Sequence, residues 1–249
     1  MNAFLLAAGL GTRLRPLTDK VAKPALPVAG LPMLAYSLNF FFEAEVKKLA
    51  VNTHHAPQTI HRALKKIEMP WQLHISHEEK LLDTGGGVKK CEAFLAGERV
   101  LLANGDIVSD VDIARLIRFH EARKAKLTLV VVPHPNANAI APITIRANDA
   151  IVDINRTFDK TNTGSHLYAG VAIFEPILWQ YLKSEPSSIV YTAYTALIAA
   201  GEKVCAYVHD GIWFDCGIIE SYHTANRALE SNAWHWQKVL HPNIKNAFA

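Results

Sequence analysis

Over the first half of the chain, short β-branched-rich apolar runs alternate with longer runs in which apolar positions recur every three or four residues. This pattern predicts strands at residues 3–8, 48–53, 71–76, 100–104 and 127–132, and helices at 32–44, 58–67 and 113–125. Pro32 suits the first turn of its helix, where the missing N–H costs nothing. Strands followed by helices build a mostly parallel sheet covered on both faces, with ligand loops gathered at the carboxyl ends of the strands.

After residue 132 the pattern shortens. Pro133, Pro135 and Pro142 punctuate it, and β-like runs follow at 143–146, 151–154, 168–174 and 203–209, with helical runs at 192–200 and 219–230. Gly201 suits a helix C-cap. One domain over 1–230 is expected, in two portions, 1–127 and 128–230, with 231–249 as a tail. The aromatic residues of that tail, Trp234, Trp236 and Phe248, read as a packed end or as the contact of a homodimer.

A chain of 249 residues that is 50% hydrophobic and 20% charged can bury a full core. The net charge of +3 comes without any long basic run, which speaks against a nucleic-acid partner and for small anions. Cys91, Cys205 and Cys216 are odd in number and lack Cys-x-x-Cys spacing, so neither disulfides nor a structural zinc are expected. No apolar run reaches about 18 residues, so no membrane partner is expected either, and the setting expected is cytoplasmic.

The candidate chemistry starts where the first strand breaks at Gly9-Leu10-Gly11-Thr12-Arg13. Glycines that take positive φ let a polyanion approach backbone N–H groups, and Arg13, Arg15 and Lys23 add positive charge there. A dinucleotide fingerprint would need a third glycine where Leu14 stands, and a phosphate loop of ATPases would need Gly-Lys-Ser/Thr where Gly11-Thr12-Arg13 stands; neither fits. Asn104-Gly105-Asp106 ends another apolar run. An aspartate there is either a turn residue or the carboxylate for a Mg²⁺ ion bridging phosphate oxygens, and Asp215, in Trp213-Phe214-Asp215-Cys216-Gly217, would be the second carboxylate. Cys216 reads as packing.

The full run Leu-Ala-Ala-Gly-x-Gly-Thr-Arg-Leu-x-Pro-Leu-Thr, then Lys23-Pro24, closely resembles the N-terminal motif of sugar-1-phosphate nucleotidyltransferases, with Ala22 where that family usually has proline. The resemblance implies a Rossmann-like, mostly parallel mixed sheet flanked by helices, of the nucleotide-diphospho-sugar transferase type, with 1–127 as the nucleotide-binding portion and 128–230 as a small β-rich sugar-binding portion. It also implies nucleotide contacts from Leu6, Ala8, Gly9, Gly11, Thr12, Asn104 and Glu78, with Glu78 facing the base. The stretch Asp83-Thr84-Gly85-Gly86-Gly87 would lay its backbone on the base, with Thr84 as N-cap of a helix over 86–96. Asp83 stands where similar enzymes carry glutamate.

By the same resemblance Lys160 and Gly170 would hold the sugar phosphate, and Asp106 and Asp215 a Mg²⁺ ion. Arg13 would neutralise the leaving pyrophosphate while Lys23 holds the reacting phosphates. The set of motifs is most similar to N-acetylmuramate-1-phosphate uridylyltransferases, which implies UTP, with mannose-1-phosphate guanylyltransferases and GTP as the alternative. A non-catalytic nucleotide-sugar-binding protein is the reading from another class; retention of all four charged residues speaks against it.

Overall fold

In the computed structural model, which describes residues 1–231 and 233–248 and leaves out the side chains of Ala233, Trp234 and Gln237, the chain winds around one nine-stranded sheet. The reading of Trp234 as an interface residue lies outside the described residues. The first half runs β1 (Asn2–Leu6), β2 (Pro27–Val28), β3 (Leu31–Pro32), α1 (Met33–Glu43), β4 (Lys48–Thr53), α2 (Pro57–Lys66) and β5 (Gln72–His77). It continues through α3 (Asp83–Lys90), α4 (Glu92–Leu95), β6 (Val100–Asn104), β7 (Ile107–Ser109), α5 (Ile113–Arg123) and β8 (Leu127–Pro133). The rest is α6 (Ala137–Ile140), β9 (Ile143–Ile145), β10 (Ile151–Ile154), β11 (His166–Phe174), α7 (Thr195–Ala199), β12 (Val204–Val208), β13 (Trp213–Asp215), α8 (Ile219–Ser231), α9 (Ala233–Val239) and α10 (Pro242–Phe248).

The sheet order is β10-β9-β11-β6-β1-β4-β5, with β8 beside β11 and β12 beside β8. Strands β6, β1, β4 and β5 are parallel, whereas β11 runs antiparallel to β6. Continuous apolar strands follow from burial on both faces. In β1, Ala3 and Leu5 enter one core while Phe4 enters the other. All ten residues from Met33 to Phe42 in α1 are buried, the hydrogen-bonded Ser37 and Asn39 among them, so this helix is enclosed on every side, and the Phe40-Phe41-Phe42 run is core. Trp236 of α9, Leu240 just after it and Ile244 of α10 are buried in that same core. No described helix is long and apolar enough to cross a membrane.

The expected elements are present, several with shifted ends, and two places differ in kind. Ahead of α7, residues Val190–Tyr194 form a π-helical turn. The expected loop at Gly85 to Gly87 is instead the body of α3. These glycines do not lie open for a base. A Cβ on Gly85 would stand 2.8 Å from Ser187 O, and one on Gly86 2.7 Å from Glu185 O. The Gly85 N–H donates to Ser187 O at 2.6 Å, and Thr84, inside the helix, accepts the Ile189 N–H at 2.9 Å rather than capping a helix end. Three glycines in a helix weaken it locally; Gly85 and Gly86 thereby admit the backbone of the 185–189 segment, and Gly87 leaves room for the Asn52 and Glu78 side chains.

Gly86→Ala should therefore lower the unfolding free energy by about 1–3 kcal/mol, because the new methyl meets backbone that cannot rotate away. A urea melt reads this as a lower midpoint; an unchanged midpoint would contradict the packing described.

Candidate active site

Strands β4, β1 and β6 lie side by side and parallel, so their carboxyl ends open on one crevice. Leu6 stands opposite Asn104 in register, and a cavity of about 170 Å³ lies at these ends. Its walls include Leu6, which ends β1, with Ala8 and Gly9 from the loop after it, Asn104, which ends β6, with Asp106 beyond it, and Asp83 and Thr84 from α3. The two glycines of the first loop have different roles. Gly11 has φ 65°, and a Cβ there would stand 2.8 Å from Thr18 Cγ2 and 3.2 Å from Lys23 Cβ. It lets the loop fold back on itself, closed by a 2.8 Å bond from Thr18 Oγ1 to Gly11 O. Gly9 does not have positive φ, contrary to expectation; a Cβ there would meet nothing within 4 Å, and its small size keeps the crevice open. Buried Leu14 pins the short 3₁₀ turn Thr12–Leu14, which leaves Thr12 and Arg13 exposed.

Four charges converge beside this cavity. The buried Lys23 ammonium is paired with the Asp106 carboxylate. Asp106 sits in the turn between β6 and β7, and β7 pairs with β13 so that Asp215 lies opposite Ile107. The Cys216 N–H donates to Asp106 O at 3.2 Å, which draws the two aspartates together. Arg13 comes up from the first loop: Gly217 has no room for a Cβ between Asp215 Oδ1, at 3.0 Å, and Arg13 Nη2, at 3.3 Å. The Asp215 side chain has an open side, yet the protein crowded around it strips water from the carboxyl. That desolvation, with Asp106 beside it, pushes its pKa above the usual carboxylate value; Lys23 and Arg13 only partly oppose the shift. The Cys216 thiol, fully buried beside both aspartates, is pushed up to about 12 and acts as packing.

Two carboxylates, one from the turn between β6 and β7 and one from β13, the latter raised in pKa by burial and its like-charged neighbour, are a donor set that a hard divalent cation relieves. Among the described residues no group of three or more His, Cys, Asp or Glu side chains gathers to hold a metal. Mg²⁺ fits such a pair, because it is commonly held by one or two carboxylates with its other positions filled by phosphate oxygens and water.

Other expected residues fall in different places. Glu78 is buried, and its two oxygens accept Asn52 Nδ2–H and the Leu82 N–H, each at 2.8 Å, so it supports the crevice wall instead of presenting itself to a base. Asn52 is a functional residue that sequence reasoning missed. Its Oδ1 accepts the Ala7 N–H at 2.7 Å while its amide donates to Glu78, which fixes the start of the glycine loop. The available signal was a polar side chain at the end of the apolar strand Leu49-Ala50-Val51. Asn104 is held by a 2.7 Å bond from Ser37 Oγ to its carbonyl, and Gly170, at φ 80°, gives its side chain room: a Cβ there would lie 2.9 Å from Asn104 Nδ2.

Lys160 is not brought to the cavity walls. It lies exposed in the loop after β10 and donates to Arg156 O at 3.1 Å. That loop is organised by fully buried Asp153, whose carboxylate accepts the N–H groups of Thr157, Phe158 and Asp159 and the Asn162 amide. Burial opposes the ionised form of Asp153, but these bonds hold its carboxyl below the usual 3.8.

Two outcomes follow for stability. Asn52→Ala should cost about 1–3 kcal/mol in a urea melt, because the Ala7 N–H and Glu78 each lose a buried partner; an unchanged midpoint would remove Asn52 from its supporting role. Asp153 has a lowered folded-state pKa, so its contribution is present above the unfolded value and is lost as pH falls below about 4. Thermal melts of Asp153→Asn should show lower stability at pH 7 and a shallower acid dependence than the wild type; parallel curves would contradict this.

A family model described as "Nucleotidyl transferase" matches residues 2–232. Mannose-1-phosphate guanylyltransferase of Mycobacterium tuberculosis is 29% identical over 225 residues, covering 89% of this chain and 62% of that protein. Probable mannose-1-phosphate guanylyltransferase 2 of Oryza sativa subsp. japonica is 27% identical over 232 residues, covering 91% of this chain and 64% of that protein. The chain thus spans less than two thirds of the length of these relatives. In fold, it is similar to a Bacillus anthracis protein described as a glucose-1-phosphate thymidylyltransferase, with TM-score 0.78, 18% identity and coverage of 92% and 94% of the two chains. HddC from Yersinia pseudotuberculosis is also similar, with TM-score 0.74, 20% identity and coverage of 92% and 99%. With the model spanning nearly all of its length, the chain belongs to the nucleotidyl transferase family.

Proposed function

We propose that this chain joins a nucleoside triphosphate to a sugar 1-phosphate, releasing pyrophosphate and forming a nucleotide sugar. The observation that carries this reading is the convergence of Lys23, Arg13, Asp106 and Asp215 at the mouth of a crevice whose other wall is an open glycine loop. An oxygen of the sugar phosphate attacks the α-phosphorus of the triphosphate, the bond to the β-phosphate breaks, and pyrophosphate departs. Such transfers need little covalent help; they are accelerated by alignment and by neutralising charge on the phosphates.

Arg13, exposed on its 3₁₀ turn beside Gly9 to Thr12, neutralises the departing pyrophosphate. Lys23, already desolvated, holds the phosphates that remain, and Asn104 and Gly170 shape the wall toward the sugar. Asp106 and Asp215 are the residues that would hold Mg²⁺, which supplies charge neutralisation at the α-phosphate when bound. Lys160 joins the site only if the 155–163 loop turns its ammonium inward.

The names of the relatives favour guanylyl transfer to mannose 1-phosphate over the uridylyl transfer that the motif set implied. Asp83 lines the cavity and offers an acceptor oxygen, which suits the N–H donors on the edge of guanine. Uridylyl transfer to N-acetylmuramate 1-phosphate remains the second reading, on the N-terminal motif, Thr84-Gly85-Gly86-Gly87 and Trp213-Phe214-Asp215-Cys216-Gly217 together.

Thermal melts with GTP, UTP, dTTP and ATP, each with Mg²⁺, separate these readings, since a ligand at 100 times its Kd adds about 2.7 kcal/mol. GTP should give the largest shift, and a shift from UTP alone would reverse the order. Asp106→Asn and Asp215→Asn should fold and lose pyrophosphate release by at least about 10²-fold, as removal of one preorganised charge does elsewhere. Full activity in both variants would refute the assignment.

A further inference from the structure

The carboxylate pair stands at one end of the two-stranded ribbon of β7 and β13, and Asp110 closes the other end. Its backbone N–H donates to Ile212 O at 3.2 Å, and its Oδ1 accepts the Ile212 N–H at 2.7 Å. Ile212 is thereby held opposite Asp110, one step beyond the pairs Trp213 with Ser109, Phe214 with Val108 and Asp215 with Ile107. Three pairs specify a register weakly, and a slip of one residue turns every side chain to the opposite face. With such a slip the Asp215 carboxylate would leave Asp106.

Asp110 is itself anchored from two sides. His209 Nε2 lies 3.3 Å from Oδ1, and His235 Nε2, on α9, lies 3.0 Å from Oδ2. The turn that joins β12 to β13 fits closely around this cluster: a Cβ on Gly211 would stand 2.5 Å from Asp110 Oδ1 and 2.6 Å from His209 Cε1. Trp213 adds a tie on the sugar side through a 2.9 Å bond from Nε1–H to Ala169 O, next to Gly170. Asp110 touches neither the cavity nor the two site aspartates, so its effect on chemistry would pass through the ribbon.

We propose that Asp110 is a positioning residue for the carboxylate pair: by clamping Ile212 it sets the register of the ribbon that places Asp215 beside Asp106, and α9 reinforces the clamp through His235. This rests on the reading of Asp106 and Asp215 as a divalent-cation site. The probe is Mn²⁺ binding to the full chain, followed by electron paramagnetic resonance, with Mn²⁺ alone and with the α,β-methylene analogue of whichever nucleotide stabilises the wild type.

Asp110→Ala should weaken Mn²⁺ binding by about 10–100-fold, the usual effect of removing a group that orients metal ligands. It should lower kcat while leaving KM for the sugar 1-phosphate unchanged. Asp110→Asn keeps an oxygen for the Ile212 N–H and should recover most of the Mn²⁺ affinity. Gly211→Ala, which crowds Asp110 from the turn, should reproduce the Asp110→Ala effect and decides the matter if that variant does not fold. Wild-type Mn²⁺ affinity in folded Asp110→Ala or Gly211→Ala would overturn the proposal alone. A kcat loss that only follows the unfolded fraction, with no recovery in Asp110→Asn, would also overturn it. A wild type that binds no Mn²⁺ would overturn the cation-site reading and this proposal together.

Discussion

A buried ammonium needs an anion beside it, and in this chain the ion pair of Lys23 with Asp106 meets that need and organises everything around it. A buried pair of this kind adds little net stability, because desolvation offsets attraction, whereas removing one partner strands the other charge. In the proposed function its value lies in keeping a buried cation and a partly exposed carboxylate together where a phosphate and a metal would arrive. The first loop has to fold back at Gly11 to deliver Lys23, and β6 has to end where it does to deliver Asp106. The ribbon then adds Asp215, which shares that space only at the expense of a raised pKa.

Much of this was legible in the sequence because the relevant signals are local. Strands β4, β6 and β10 begin and end where the apolar runs do, and the glycine break, Lys23, Asp106 and Asp215 stand in recognisable local patterns. What was illegible depends on partners far away in the chain. Gly85 and Gly86 read as a base-binding loop, yet they are small because the 185–189 segment lies against them, a hundred residues later. Thr84 reads as a cap for the same reason, although its hydroxyl serves Ile189. Asn52, for which no role was expected, fixes the glycine loop, and Glu78, expected to face the base, supports Asn52 from behind. The placement of Lys160 is the least local of all, since buried Asp153 shapes a loop that displays it away from the crevice.

The fold accounts for why so few residues suffice. Three parallel strands end together, so a loop, a wall and a carboxylate arrive at one place without any long-range search by side chains. The antiparallel strand β11 then runs beside β6 and brings Gly170 against Asn104, joining the second half of the chain to the crevice at a single backbone approach.

The central claim is that the chain breaks the bond between the α- and β-phosphates of a nucleoside triphosphate. Incubation with mannose 1-phosphate, Mg²⁺ and GTP labelled at either the α- or the γ-phosphorus, with the UTP and N-acetylmuramate 1-phosphate pair in parallel, tests it most directly. Label from the α position should appear in a nucleotide sugar, and label from the γ position in pyrophosphate. Transfer of the γ label to the sugar phosphate, or no movement of either label with either pair, would contradict the account.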